Sequence, residues 1–452
     1  MRDTHAARER AVLIQAVPQG EERSRHQRLL TELHHLVAAA DLDVQDTQML
    51  GHARLVPSHF LGQGQVERLA EQVAAQELDV VVFNHSLSPV QQRNLEKSLK
   101  AKVVDRTGII LEIFARRART REGRLQVELA SLMYQQSRLV RSWTHLERQR
   151  GGVGMRGGPG EAQIEIDRRL IRKRIDTLKR TLANVARTRA LQRRPRRDIP
   201  LFTVALVGYT NAGKSTLFNQ LTDAGVEERN ALFATLDPTV RSIDMPGGGQ
   251  VVLSDTVGFI RDLPHDLVAA FRATLEEVCE ADLLLHVVDI SDPEWEAQMA
   301  AVMEVLEELE AADKPMRILL NKTDLLDAES PVLKRLMTVL QAIPVSAKSG
   351  AGLDDLRETL ARAMSETWRT FRLELPWEEG ALTARLCQEG RVLERIETDT
   401  HLRMTVSLPH ASAGRLASAL EPYHVEHGQG HDPDASDADS ESTPLSDPSM
   451  VA

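Results

Sequence analysis

The chain has 452 residues, 42% hydrophobic and 27% charged, with two cysteines and a formal net charge of −10. That length suggests about three domains with sizeable apolar cores. Cys279 and Cys387 alone give no disulfide framework and no metal cluster, which fits a reducing cytoplasm. No stretch approaches the roughly 18 apolar residues of a membrane span, and no apolar signal region follows the charged first ten residues.

Residues 11 to about 110 alternate short apolar runs with helical patterns. Val12 to Val17, Val80 to Phe83 and Val103-Val104 are expected as strands, and Arg25 to Ala39 and Gln65 to Ala75 as helices. The rhythm predicts a small α/β domain with a parallel sheet over 1–115. Gly62-Gln63-Gly64 precedes a helix and could bind an anion, but a lone G-x-G more often makes a plain turn.

Residues 116–198 read differently. Leu125, Leu129, Leu132, Gln136, Leu139, Trp143 and Leu146 are spaced 4, 3, 4, 3, 4, 3. After a break, Ile171, Ile175, Leu178, Leu182 and Val185 repeat the 4, 3, 4, 3 spacing. One apolar seam on each of two helices predicts an antiparallel hairpin whose arms, at 1.5 Å per residue, are about 40 Å long. Between Arg116 and Arg197 stand 23 Lys and Arg against 7 Asp and Glu, leaving 56 − 23 = 33 basic and 66 − 7 = 59 acidic residues elsewhere. Such a run can be a solvated helix face, or the footprint of a polyanion such as RNA.

The break itself runs from Gly151 to Glu161 and holds six glycines in eleven residues, which no helix tolerates. It could be a flexible link, but a link needs only a few residues. Arg148, Arg150 and Arg156, with the bare backbone of Gly151, Gly152, Gly154, Gly157, Gly158 and Gly160, suit contact with a crowded RNA surface, the reading preferred here. Arg193 to Arg197 is expected as a solvated linker into the next strand, with a further phosphate contact as the alternative.

Residues 199–367 carry the chemistry. The apolar run Phe202 to Val207 predicts a buried strand. It leads into Gly208-Tyr209-Thr210-Asn211-Ala212-Gly213-Lys214-Ser215-Thr216 and then a helix to Leu221. G-x-x-x-x-G-K-S is a phosphate-binding loop: the glycines let several N–H groups point inward, and the helix N-terminus adds its positive end. Lys214 can reach the β- and γ-phosphates, and the Ser215 hydroxyl can ligate Mg²⁺. Further strands are expected at Val240 to Met245, Val251 to Ser254, Leu283 to Asp289, Arg317 to Leu320 and Pro344-Val345, making a doubly wound α/β domain.

Four further segments arrive in the order a GTPase requires. Phe233-Ala234-Thr235, leading to Thr239, offers the Thr235 hydroxyl to Mg²⁺ and the γ-phosphate. Asp255-Thr256-Val257-Gly258 offers Asp255 to Mg²⁺ and the Gly258 N–H to the γ-phosphate. In Asn321-Lys322-Thr323-Asp324, the Asp324 carboxylate can accept from two guanine N–H groups, Asn321 can hold the base edge and Lys322 can cover its face. Ser346-Ala347-Lys348 supplies a backbone N–H toward the guanine carbonyl. Lys214, Thr235 and Gly258 are the expected catalytic groups. Phe259 stands where many GTPases place a water-orienting glutamine, so intrinsic hydrolysis is expected to be slow and partner-dependent. Asn211 could ligate a monovalent cation or make a loop hydrogen bond.

From Thr370 a small α+β domain is expected, within 368–426. Its strands are Phe371 to Leu375, Val392 to Glu397 and Leu402 to Leu408, and its helices Leu382 to Gln388 and Ala413 to Leu420. The acidic tail, 427–452, has the composition of a disordered segment.

Asp105-Arg106-Thr107-Gly108, Phe114 to Thr120, Gly157 to Glu161 leading to Asp167-Arg168-Arg169, Gly208 to Ser215, and Phe233 to Thr239 together resemble the HflX family of translational GTPases over residues 10 to 425. The resemblance implies a multidomain α/β protein: an N-terminal α/β domain, a helical hairpin, a TRAFAC-type P-loop domain and a small C-terminal domain. It implies a GTP form that binds the large ribosomal subunit, places the glycine-rich tip at the peptidyl-transferase region, splits stalled or stress-damaged ribosomes, and hydrolyses GTP under ribosome stimulation. Family members are also credited with ATP binding and RNA unwinding by the N-terminal domain, yet Gln65 stands here where relatives often carry lysine. The alternatives are ATP-dependent RNA remodelling by the N-terminal domain, or a GTP-switched adaptor for a protein partner at the membrane surface. A cytoplasmic monomer is expected.

Overall fold

A computed structural model of the chain describes residues 8–18, 20, 22–51, 56–141, 159–197, 202–222, 233, 236, 238–246, 250–262, 275–327, 331–366 and 368–424. Two compact units result: Met1–Arg197 with Leu201–Met364, and Asp198–Pro200 with Ser365–Ala452.

The first unit opens with a parallel sheet of order β2-β1-β3-β4, formed by Arg10–Ala16 (β1), Asp43–Leu50 (β2), Val80–Phe83 (β3) and Lys102–Asp105 (β4). β3 is wholly apolar and β1 is apolar from Ala11 to Ile14, and both are buried on both faces there, as central parallel strands are. β2 escaped the sequence reading because its residues, DVQDTQML, are largely polar. It is an edge strand, exposed on alternate residues, and needs little apolar surface.

Helices Arg23–Ala39 (α1), Gln63–Ala75 (α2), Pro89–Leu99 (α3) and Arg106–Arg117 (α4) cover the sheet. At the start of α2 the Gln65 side chain accepts from the Gly62 N–H at 3.3 Å. Gly62-Gln63-Gly64 therefore makes a plain helix start. α4 is capped by Asp105, whose Oδ1 accepts from the Gly108 N–H at 2.9 Å.

Arg121–Arg141 (α5) and Pro159–Arg197 (α6) form the helical pair. Ile175 and Leu178 of α6 are buried, and Arg174 pairs with Glu128 of α5 at 2.6 Å. α5 buries more than the expected seam. Gln126, Val127 and Ala130 are buried beside Leu129, because another face of the helix meets the sheet domain. There Tyr134 donates to Asp105 at 2.6 Å, and Arg138 pairs with the same carboxylate. Residues 142–158, which hold Trp143 and Leu146 of the expected seam, Arg148, Arg150, Arg156 and most of the expected tip, lie outside the described residues. Two boundaries are corrected: Gly160 and Glu161 belong to α6, which starts on Pro159, and Arg193 to Arg197 continue that helix instead of forming a linker. Proline suits a first helical turn because its missing N–H would have no partner there.

A second, six-stranded sheet has the order β10-β9-β8-β5-β7-β6. Its strands are Phe202–Gly208 (β5), Thr239–Asp244 (β6), Gln250–Asp255 (β7), Leu283–Asp289 (β8), Met316–Asn321 (β9) and Ile343–Pro344 (β10). All are parallel except β6, which runs antiparallel to β7. Helices Lys214–Thr222 (α7), Glu276–Glu280 (α8), Trp295–Glu308 (α9), Pro331–Val339 (α10) and Leu353–Glu366 (α11) complete the doubly wound domain. One apolar cluster runs through both α/β domains without a break, from Leu13, Leu33 and Ile110 to Tyr209, Phe259 and Leu284.

The second unit is an antiparallel sheet of order β11-β13-β12, from Trp368–Pro376 (β11), Arg391–Glu397 (β12) and His401–Pro409 (β13), with helices Gly380–Glu389 (α12) and His410–Leu420 (α13). Phe371, Leu373 and Leu375 alternate inward on β11, and Leu402, Met404, Val406 and Leu408 on β13, so one face makes the core.

Candidate nucleotide-binding site

β5 is central and parallel to both neighbours, so its C-terminal end lies where open α/β sheets bind ligands. The phosphate loop starts there. Gly208 has φ +152, and a Cβ on it would fall 2.3 Å from the Val287 carbonyl oxygen of β8. Gly213 has φ +95, and its Cβ would fall 2.2 Å from Asn321 Nδ2. Gly208 is required by the close approach of the β8 backbone, and Gly213 by its left-handed φ and the Asn321 side-chain amide beside it. Asn211 is exposed with φ +61, a left-handed conformation that asparagine tolerates better than most residues.

Lys214 is buried, and its ammonium donates to the Gly208 and Tyr209 carbonyls at 3.1 and 2.8 Å. Burial lowers its pKa to about 8, against the opposing pull of the Asp255 carboxylate. Ser215 donates to Asp255 at 2.8 Å. This hydroxyl and carboxylate, side by side at the loop, are the hard oxygen donors that Mg²⁺ selects. Among the described residues there is no cluster of three or more His, Cys, Asp or Glu side chains that could hold a metal ion. A site of one carboxylate, one hydroxyl and substrate phosphates needs none.

The segment after β7 is stitched to the loop. The Phe259 N–H donates to the Gly208 carbonyl at 3.1 Å, and the Thr210 N–H to the Phe259 carbonyl at 2.8 Å. A Cβ on Gly258 would lie 2.9 Å from Thr210 Cα and 3.1 Å from Lys214 Nζ, so glycine alone fits beside the lysine. The Thr256 hydroxyl donates to the Leu206 carbonyl at 2.6 Å. That bond ties the Thr256 side chain to β5. The Phe259 ring is 1% exposed and faces the core.

At the base end, Asn321 joins two loops: its Nδ2 donates to the Ala212 carbonyl at 2.7 Å and its Oδ1 accepts from the Ala347 N–H at 2.9 Å. Ser346 donates to Asp324 Oδ1 at 2.7 Å, while Asp324 and Lys348 are exposed. Thr323 donates through both its N–H and its hydroxyl to the Val345 carbonyl, at 3.3 and 2.9 Å. The structure thus gathers the phosphate loop, Asp255 to Gly258, Asn321 to Asp324 and Ser346 to Lys348 along one edge of the sheet. Ala234 and Thr235 lie outside the described residues. Phe233, expected beside the nucleotide, instead packs its buried ring against Phe114 of α4, with centroids 4.7 Å apart.

Sequence reasoning missed the residues that brace this site from the N-terminal domain. The Tyr209 hydroxyl donates to Glu32 of α1 and accepts from the Arg261 N–H at 3.1 Å. Glu32 in turn pairs with Arg106 at 3.0 Å, and Arg106 donates to Asn84 at 2.9 Å. Burial and the Glu32 charge push the Tyr209 phenol well above its ordinary pKa, so it stays a donor. No local pattern marks Glu32. Arg106 stands in one of the stretches that carry the family resemblance, but nothing there shows its partner.

A phosphate loop at the C-terminal end of the central strand, with a guanine-type Asn-Lys-x-Asp segment hydrogen-bonded to it, defines a P-loop GTPase. Three family models match: GTP-binding GTPase N-terminal over 27–115, GTP-binding GTPase Middle Region over 117–196, and 50S ribosome-binding GTPase over 203–322. The GTPase HflX of Magnetococcus marinus is 58% identical over 426 residues, 94% of this chain and 98% of that protein. The GTPase HflX of Escherichia coli is 46% identical over 402 residues, 88% and 93%. A GTP-binding protein of Sulfolobus solfataricus solved with GDP is 24% identical, with 79% of this chain and 99% of that one covered at a TM-score of 0.44. The chain belongs to the HflX family of GTPases and is a GTP hydrolase. Among the described residues no helix is long and apolar enough to cross a membrane.

Proposed function

We propose that this GTPase binds the large ribosomal subunit in its GTP state and splits stalled or stress-damaged ribosomes, with the ribosome in turn stimulating hydrolysis. One observation carries the reading: a long basic helical pair shares a compact unit with the GTP site. The family model over 203–322, described as a 50S ribosome-binding GTPase, supports the choice of partner. The division of labour follows the boundaries read from the sequence: 1–115 braces, 116–198 reaches, 199–367 switches. A cytoplasmic monomer fits this work.

In the proposed cycle Ser215, Asp255 and Thr235 would hold Mg²⁺, which supplies charge neutralisation for the β- and γ-phosphates. Lys214 would bind those phosphates, and the Gly258 N–H would bind the γ-phosphate. Asp324 would accept from the guanine edge and Lys322 would cover the ring. With Phe259 turned into the core, no side chain at that position orients water, so fast hydrolysis waits on the ribosome. The tip around Gly151, Gly152, Gly154, Arg156, Gly157 and Gly158, flanked by Arg148 and Arg150, would make the RNA contact.

Sucrose-gradient sedimentation of ribosomes with the protein and a non-hydrolysable GTP analogue tests the reading. Free subunits should accumulate, with the protein on the large one. Deleting residues 151–160 should preserve GTP binding and abolish splitting. Splitting that survives the deletion, or a protein that never sediments with the large subunit, would overturn the proposal.

A further inference from the structure

The base-binding edge contains a carboxylate that none of the GTPase motifs includes. Asp289 ends β8 opposite Asn321 of β9, and the Ile290 N–H donates to the Asn321 carbonyl at 3.2 Å. Asp289 Oδ2 lies 2.6 Å from Lys322 Nζ, with side chains only 13% and 27% exposed. Its other oxygen is already committed, accepting from the Ser291 hydroxyl at 2.5 Å and the Ser291 N–H at 3.1 Å. The carboxylate is thus fixed by its own turn and presents one oxygen to one lysine.

Lys322 is unusual as well. Its backbone is left-handed, with φ 64 and ψ 33. That conformation is uncommon for lysine and persists where the surroundings hold it on both sides. Asn321 is held through Ala212 and Ala347, and Thr323 through the Val345 carbonyl. Those bonds fix the backbone and leave the long, flexible Lys322 side chain unrestrained. The Asp289 pair anchors its far end.

We propose that Asp289 is a positioning residue for guanine nucleotides: it holds the Lys322 ammonium so that the lysine stem lies in place as the cover of the purine ring. The stem has four rotatable methylenes, and ordering it in advance removes an entropic cost from each binding event. Because the base is common to GTP and GDP, the effect falls on both nucleotides alike and on their release, not on the chemical step. The role is independent of the ribosome and rests on the GTP site alone.

A double-mutant cycle read by release of a fluorescent GDP analogue tests this. Asp289→Asn keeps acceptor oxygen for Ser291 and removes the charge; it should speed GDP release about fivefold, a modest factor because the pair is partly exposed. Lys322→Met keeps an apolar stem without the ammonium and should also speed release. In the Lys322→Met background Asp289→Asn should add nothing, whereas a residue that merely shapes the turn would multiply release by the same factor in both backgrounds. Single-turnover hydrolysis of bound GTP should be unchanged in Asp289→Asn. Equal factors in the two backgrounds would overturn the proposal. So would a Lys322→Met protein that holds GDP as tightly as the wild type, or a hydrolysis rate that falls with GDP affinity.

Discussion

The hydroxyl of Tyr209, second residue of the phosphate loop, donates a hydrogen bond to Glu32, 177 positions earlier in the first helix. The nucleotide loop is thereby tied to the N-terminal domain, and Arg106 completes the tie by pairing with the same carboxylate at 3.0 Å. Tyr209→Phe removes one donor and leaves Glu32 its arginine, so it should lower stability by about 1–2 kcal/mol. Arg106→Ala leaves the Glu32 carboxylate, 14% exposed, with the Tyr209 hydroxyl but without its paired guanidinium, and should lower stability by about 3 kcal/mol or more. Thermal unfolding of the two variants measures the difference; equal losses would contradict this ranking.

Gly213→Ala should lower GDP affinity at least about tenfold, because the new Cβ falls 2.2 Å from Asn321 Nδ2 at a φ of +95. Asn321 would have to give up its bond to Ala212, which couples the phosphate and base ends of the site. Titration calorimetry with GDP gives the number.

Replacing Phe259 by glutamine should not restore intrinsic hydrolysis. The side chain at that position is 1% exposed and faces the core, and the backbone bonds to Gly208 and Thr210 keep it there. The variant should instead be destabilised by about 3 kcal/mol, through a lost aromatic contact surface and a buried amide. Single-turnover hydrolysis without ribosomes decides, and a rate that rises severalfold would count against the placement.

GDP binding should weaken as pH rises above about 8. Burial holds the unliganded Lys214 pKa there, below the ordinary value of 10.5, whereas bound phosphates favour the charged form. Below pH 8 the lysine is protonated before and after binding, and affinity is flat. Above it, binding takes up a proton, so affinity should fall by up to about tenfold per pH unit. Calorimetry in buffers of different ionisation enthalpy should show proton uptake at pH 9 and none at pH 7. Lys214→Ala should abolish tight GTP binding.

Much of the molecule was legible in the chain because its signals are local. G-x-x-x-x-G-K-S, Asp255 to Gly258 and Asn321 to Asp324 each sit at the end of an apolar run, and a strand end is where a parallel sheet presents a loop to a ligand. The alternation on β11 and β13 likewise marked its own buried face. What stayed hidden depends on contacts between distant segments. β2 is polar because it is an edge, and a polar strand has no periodic signal. Phe233 looked like a nucleotide neighbour from its motif, but its ring found Phe114. The bond from the Thr256 hydroxyl to the Leu206 carbonyl likewise joins segments 50 residues apart.

The chain alone sets the class of ligand, since guanine selection needs only residue types at fixed spacing beyond strand ends. It also determined the basic helical pair, since charge and a 4, 3 repeat are properties of the chain. What holds the site in place is settled by packing between distant segments. Glu32, Arg106 and Asp289 act on Tyr209 and Lys322 across chain separations that no pattern encodes. A hydrogen bond or ion pair exists only once packing has set the distance, and that distance is a property of the fold.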